Sequence, residues 1–299
     1  MKLFFNFLLA CLLFSKPVHA DEKASSLKVV ASFSILGDLV AVIAGDKVEL
    51  TILVGPDSDG HLYQPSAADA RALTKADLLI ANGLGFETWL NSLMRAAEFE
   101  GKLLVASESI KPIMVEDSNN PAIKVPDPHA WQDIQHVMSY VRSIATELSN
   151  LDVQHQAFYT NNAENYLVEL AELDTQIKFF TQSLPAEKRK LVTSHDAFGY
   201  FGAAYGLEFI APQGISTDAE ARTQDIAQLI KQIRREKIPA MFVESMLDDR
   251  LLKQISHETN VSIGGRLYSD ALSPPDGSAP NYVALMKYNL SVLKMALQP

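Results

Sequence analysis

From His129 to Leu184 the chain contains neither glycine nor proline. A stretch without either helix breaker, carrying apolar residues at helical spacing, can hardly be anything but helix. Ile134, Val137, Met138, Val141, Ile144, Ala145 and Leu148 form one apolar stripe. Ala163, Tyr166, Leu167, Leu170, Leu173, Ile177 and Phe180 form a second. The second segment, about 28 residues, would be a rod roughly 40 Å long. Asp152 reads as its N-cap and Pro185 as its stop. The rest of the fold has to be arranged around this rod.

On both sides of it, short β-rich runs alternate with helical patterns. Strands are expected at 27–32, 48–54, 77–81 and 102–106, with helices at 35–44 and 67–74 between them. Beyond the rod, strands are expected at 190–193, 207–210, 239–244 and 261–263, with helices at 221–235 and 247–259. Such alternation implies parallel sheets covered by helices. The expected class is α/β: two parallel-sheet lobes joined by one long rigid helix, with a ligand in the cleft between them. The expected division is an N-terminal lobe over 21–150, the linking helix over 151–184 and a C-terminal lobe over 185–299.

Residues 1–20 read as a secretory signal peptide. Lys2 supplies a positive start, Leu3 to Phe14 an apolar run, and Val18-His19-Ala20 a small-x-small cleavage pattern. Leu8-Leu9-Ala10-Cys11 also has the look of a lipoprotein box. However, the apolar segment before Cys11 is very short, and cleavage after Ala20 with a periplasmic destination is the reading adopted. Without Lys2 and Lys16 the 26 basic residues become 24 against 36 acidic ones, a net charge of −12. Cleavage also removes the single cysteine, so no disulfide or thiolate ligand is expected. A chain this acidic, with no basic run beyond Arg234-Arg235-Glu236-Lys237, is not built to bind nucleic acid.

Six histidines remain. His136, His155 and His257 fall on or near helices among polar neighbours and read as solvated. His61, His129 and His195 follow or precede regular elements in loops, where ligand sites of parallel sheets form. Asp270 alone would be an ordinary turn aspartate. None of the four shares a helical turn with another, so no local HExxH-type motif exists. If they converge, two come from each half.

Several segments together resemble the zinc/manganese-binding receptors of ATP-driven (ABC-type) metal importers. They are Val29-Val30-Ala31-Ser32-Phe33-Ser34-Ile35-Leu36-Gly37-Asp38, Ala81 to Leu90, Asp127-Pro128-His129-Ala130-Trp131, Ser194 to Phe201, and Tyr268-Ser269-Asp270-Ala271-Leu272-Ser273. The resemblance implies two lobes, a rigid connecting helix and one buried metal held by His61, His129, His195 and Asp270. It implies a receptor, not an enzyme, and an ABC permease as membrane partner; a monomer is the expected state. Two departures stand out. Gly60 replaces the proline usual before His61, which would loosen that turn. The stretch 113–126, where zinc-specific members carry a long histidine-rich loop, is short and has no histidine.

The resemblance also bears on the metal. Manganese receptors of this kind place a glutamate where His195 stands. Three imidazoles and one carboxylate suit zinc, whereas oxygen-rich sites suit manganese. Zinc is therefore the expected cargo, with manganese, or both metals, as the alternative. A secreted zinc hydrolase is the rival from another class. It would need an open water position on the metal, and Asp270 would fill it.

Overall fold

A computed structural model describes residues 26–117, 120, 122–218 and 221–297. The signal segment, with Cys11 and Ala20, lies outside the described residues. The first lobe is built on strands β1 (Leu27–Phe33), β2 (Val48–Val54), β3 (Leu78–Ala81) and β4 (Lys102–Val105), with helices α1 (Ser34–Ala44), α2 (Ala67–Thr74) and α3 (Leu90–Ala96) between them. Its sheet has the order β2-β1-β3-β4, all parallel. An antiparallel hairpin, β5 (Met114–Glu116) and β6 (Lys124–Pro126), closes the lobe where the sequence suggested only a short loop.

The helices α4 (Ile134–Leu151) and α5 (Gln156–Ser183) follow. The second lobe contains β7 (Lys190–Val192), α6 (Gly199–Tyr205), β8 (Glu208–Ile210), α7 (Thr223–Glu236), β9 (Met241–Glu244), α8 (Arg250–Thr259), β10 (Ile263–Leu267) and α9 (Tyr282–Leu297). Its sheet has the order β10-β9-β7-β8, again parallel. Two parallel sheets and one long helix are what the alternation around the glycine- and proline-free stretch demanded. The central strands β3 and β9 are buried along their whole length; β3 reads as an unbroken apolar run, and β9 does so up to the buried Glu244 at its end.

Three local expectations are corrected. The rod starts at Gln156, because a 3₁₀ turn over Val153–His155 comes first. Asp152 does not cap it through the backbone. Its Oδ2 instead accepts from the Tyr159 hydroxyl at 2.7 Å and lies 2.7 Å from His155 Nδ1. The strand expected at 261–263 begins at Ile263 and runs on to Leu267. Its glycines hid it. A Cβ on Gly264 would stand 2.7 Å from Ala296 and 2.9 Å from Phe242, and one on Gly265 (φ +148°) would meet Val292 at 2.7 Å. They let α9, itself missed from the sequence, lie close on β10.

The rod does more than span the lobes. One face of α5, including Tyr159, Ala163, Tyr166, Leu170, Leu173, Ile177 and Phe180, is buried. It packs on α4, on α1 of the first lobe, and on α6 and α9 of the second. A single apolar cluster thus runs from Val29 and Ile35 through Leu170 to Phe242 and Leu285. A smaller one, including Val192, Ile233, Met241 and Ile255, lies beneath α7 and α8. Polar ties reinforce the junction. Leu272 N donates to Ser34 Oγ at 3.1 Å, Tyr282 N to Asp38 Oδ2 at 2.8 Å, and the Tyr282 hydroxyl to Trp131 O at 2.7 Å. Burial raises the pKa of Asp38 to about 6, against the lowering effect of the Tyr282 amide.

Leu170 is fully buried in this shared core. Leu170→Ala is expected to destabilise the metal-free protein by about 2–5 kcal/mol. Denaturant unfolding measures this, and metal stoichiometry of the folded variant stays unchanged.

Candidate metal centre

The structure brings His61, His129, His195 and Asp270 together, with one donor atom from each lying within 4.8 Å of the others. They come from loops beyond the carboxyl ends of β2, β6, β7 and β10. β2 of the first parallel sheet and β7 and β10 of the second point their carboxyl ends at one point between the lobes, and the antiparallel hairpin brings His129 to it.

Local turns set each ring. His61 N donates to Asp59 Oδ1 at 2.8 Å. The preceding Gly60 offers its carbonyl to Trp89 Nε1 at 2.9 Å, and a Cβ at this position would stand 2.5 Å from the Phe86 ring. Glycine here does not loosen the turn; it admits Phe86, whose ring meets His61 edge-on at 4.7 Å. Asp127 Oδ1 accepts from His129 N at 2.9 Å and lies 2.8 Å from His129 Nδ1. Glu244, at the end of β9, does the same for His195: Oε1 accepts from His195 N at 2.8 Å, and Oε2 lies 2.6 Å from Nδ1. The bond to Asp127 fixes the His129 tautomer that leaves Nε2 basic, and the close contact with Glu244 holds His195 Nδ1 from behind, so that Nε2 of both rings faces inward. Asp270 is fixed from the opposite lobe, since Trp131 Nε1 and Gln132 Nε2 both donate to Ser269 O, at 2.8 and 2.7 Å.

The inward atoms are spaced for a cation. His61 Nε2 is 3.3 Å from His129 Nε2 and 3.5 Å from Asp270 Oδ2. His195 Nε2 is 3.2 Å from Oδ2, and His129 Nε2 is 3.7 Å from Oδ1. Four donors around a tetrahedral zinc, with bonds of about 2.0–2.2 Å, stand about 3.3–3.6 Å apart. Neither oxygen of the buried Asp270 makes a hydrogen bond of ordinary geometry among the described residues. Two unpaired buried carboxylate oxygens facing three imidazole nitrogens are costly unless a cation joins them.

Without metal, protons do part of that work. Burial disfavours charge on His129, but the carboxylates of Asp270 and Asp127 outweigh it and raise its pKa to about 9. His195 is raised well above the usual imidazole range, where Glu244 and Asp270 overcome burial. His61 goes the other way, because burial outweighs its attraction to Asp270. Asp270 is held well below the carboxylate range: burial opposes this, and the charged His129 and His195 prevail.

The other histidines stay outside the centre. His257 is exposed, His155 pairs with Asp152, and His136 packs its ring against Tyr200 at 5.3 Å. Glu244 is the glutamate that orients a ligand ring. Glu87 instead accepts from Ser32 Oγ and from the backbone of Asn82 and Gly83. Asp127 was missed, although its position two residues before His129 was the available signal.

The model of the family described as ZnuA, zinc-uptake complex component A, periplasmic, matches residues 29–296. The chain belongs to the ZnuA family. The manganese ABC transporter substrate-binding lipoprotein PsaA of Streptococcus anginosus is similar to it at 34% identity, over 97% of this chain and 94% of its own. The metal ABC transporter substrate-binding lipoprotein SsaB of Streptococcus sanguinis is 33% identical, over 97% and 96%. Among solved structures, the periplasmic zinc-binding protein TroA of Treponema pallidum superposes with a TM-score of 0.84 at 33% identity, covering 91% of this chain and 99% of its own. A manganese-bound periplasmic metal-binding protein of Candidatus Liberibacter asiaticus gives 0.79 at 33% identity, covering 89% and 97%. ZnuA-family proteins and these relatives are substrate-binding receptors, not enzymes, which sets aside the hydrolase reading.

A metal taken up by this ZnuA-family site has to displace the protons on His129 and His195. Affinity is therefore expected to rise with pH up to about 9, the His129 value. The metal-free protein follows the opposite trend. Stabilisation by a raised histidine is complete below its unfolded pKa of about 6.5 and is lost as pH climbs through 9. Calorimetry at pH 7 in buffers of different ionisation enthalpy should show release of about two protons per metal. Release of none would contradict the protonated apo site.

Proposed function

We propose that the chain captures zinc outside the cytoplasm and delivers it to an ABC permease, using His61, His129, His195 and Asp270 as the four ligands. The carrying observation is the buried quartet of three imidazole nitrogens and one otherwise unpartnered carboxylate, spaced for a tetrahedral ion. Three nitrogens and one carboxylate favour zinc over manganese, which prefers oxygen donors. With no sulfur in the set, Cu(I) is disfavoured as well.

The donors are divided between the lobes, so withdrawing either pair dismantles the site. Delivery then requires only that the permease draw the lobes slightly apart, exposing Asp270 or His61 to water. The route out is a cleft of about 320 Å³ beside His61, lined by Leu84, Thr88, Pro126, Ile215 and Ser216. We read the first twenty residues as an export signal cleaved after Ala20, and the mature receptor as a monomer. Among the described residues no helix is long and apolar enough to cross a membrane.

A dual zinc/manganese receptor is the second reading, and one observation favours it. Both Asp270 oxygens face the histidines, Oδ1 towards His129 and Oδ2 towards His61 and His195. A carboxylate so placed can bind through two oxygens and give a larger, harder ion a fifth donor. The relatives named as manganese receptors agree with that option.

Metal-stripped protein offered equal zinc and manganese near pH 7, with bound metal counted by elemental mass spectrometry, separates the readings. One zinc per chain with manganese excluded is the expected result. Manganese retained in comparable amount would establish the dual receptor, and neither metal bound would overturn both.

A further inference from the structure

The cleft mouth is spanned by a contact that coordination does not require. Residues 211–218 of the second lobe form no regular element among themselves. The segment is held to its own lobe at one end, where Gln213 bridges to His195 and Asp196 N donates to Gly214 O at 3.2 Å. Ile215 and Ser216 then face His61, Leu84 and Thr88 across the cleft. At its far end Thr217, buried to 9% exposure, donates its hydroxyl to Asp59 Oδ2 of the first lobe at 2.6 Å. The other oxygen of the same carboxylate accepts from His61 N.

Asp59 thus has two jobs. One oxygen shapes the turn that presents His61, and the other holds a strap of the opposite lobe over the metal position. The remaining cross-lobe bonds are of another kind. Besides the bond from Asp57 N to Leu272 O at 2.9 Å and those of the Tyr200 hydroxyl with Ile113 N and Asp127 O, the bonds through Ser34, Trp131, Ser269 and Tyr282 are buried behind the centre, and all of them use a backbone group. They persist in any state that keeps the shared core. The Thr217–Asp59 bond lies at the mouth, joins two side chains, and can open without disturbing that core.

We infer that Thr217 is a positioning residue of the receptor. Through Asp59 it fixes His61 and latches segment 211–218 across the cleft, setting the rate at which metal leaves. The inference rests on the proposed metal-binding role of the quartet. A hydroxyl donating to a carboxylate in a partly dried site is a charge-assisted bond, and its loss lets the strap and the His61 turn move independently. Because Thr217 touches no donor atom, its removal changes how fast metal exchanges without changing which atoms hold it.

The test is metal release from zinc-loaded protein into excess chromogenic chelator, followed by stopped flow. Thr217→Val removes the hydroxyl and keeps the shape; Thr217→Ser keeps the hydroxyl. The Val variant is expected to bind one zinc per chain and release it about tenfold faster, with the Ser variant near the parent rate. A Val variant releasing at the parent rate would overturn the latch while leaving the metal site intact. Equal acceleration in both variants would also overturn it, since packing of the methyl group and not the hydroxyl would then hold the strap. A parent protein that takes up no zinc would overturn the metal-binding role itself, and the latch with it.

Discussion

The mutual spacing of three imidazole nitrogens around one buried carboxylate is the constraint on which the structure depends. Bringing such groups within 4.8 Å of one another in a dry cleft is unfavourable without a shared cation. Everything near them opposes relaxation. Asp127 and Glu244 pin two rings from behind, the Asp59 turn pins the third, and Trp131 and Gln132 hold the loop that carries Asp270. Phe86 and Trp131 wall the centre with rings whose centroids lie 4.8 Å apart. In the metal-free protein the carboxylates around His129 and His195 favour protonation of both rings, against burial.

This preorganisation needs lobes that cannot swing far. The apolar core passes through α5 from one sheet to the other, and α1 and α9 meet against it. Opening such a pair widely would expose apolar surface at about 25 cal/mol per Å². Motion is therefore expected at the periphery, in the loops that carry the donors and in the strap over the cleft. A site held this way is rigid and nearly complete, and in the proposed delivery a slight parting of the lobes suffices to loosen one ligand loop.

Much of this was legible in the sequence. The rod announced itself by the absence of glycine and proline, and the alternation on either side by strand-length apolar runs. His61, His129, His195 and Asp270 could be singled out as candidates from loop position and resemblance, yet nothing local joins them; only the two-sheet topology does. What stayed hidden was hidden for physical reasons. Gly264 and Gly265 erased the strand signal of β10 because α9 needs their missing side chains. Asp152 looks like a cap but is occupied by Tyr159 and His155. Gly60 looks like a loosened turn and is instead the space that Phe86 fills. Glu244 lies 49 residues from His195 in sequence, so only tertiary contact pairs them.

Anomalous diffraction at the zinc edge from crystals of the zinc-loaded protein reads out the ligand set itself. One peak per chain is expected, about 2.0–2.1 Å from Nε2 of His61, His129 and His195 and about 2.0–2.2 Å from an Asp270 oxygen. A peak elsewhere, or one that leaves out His195 or Asp270, would contradict that set.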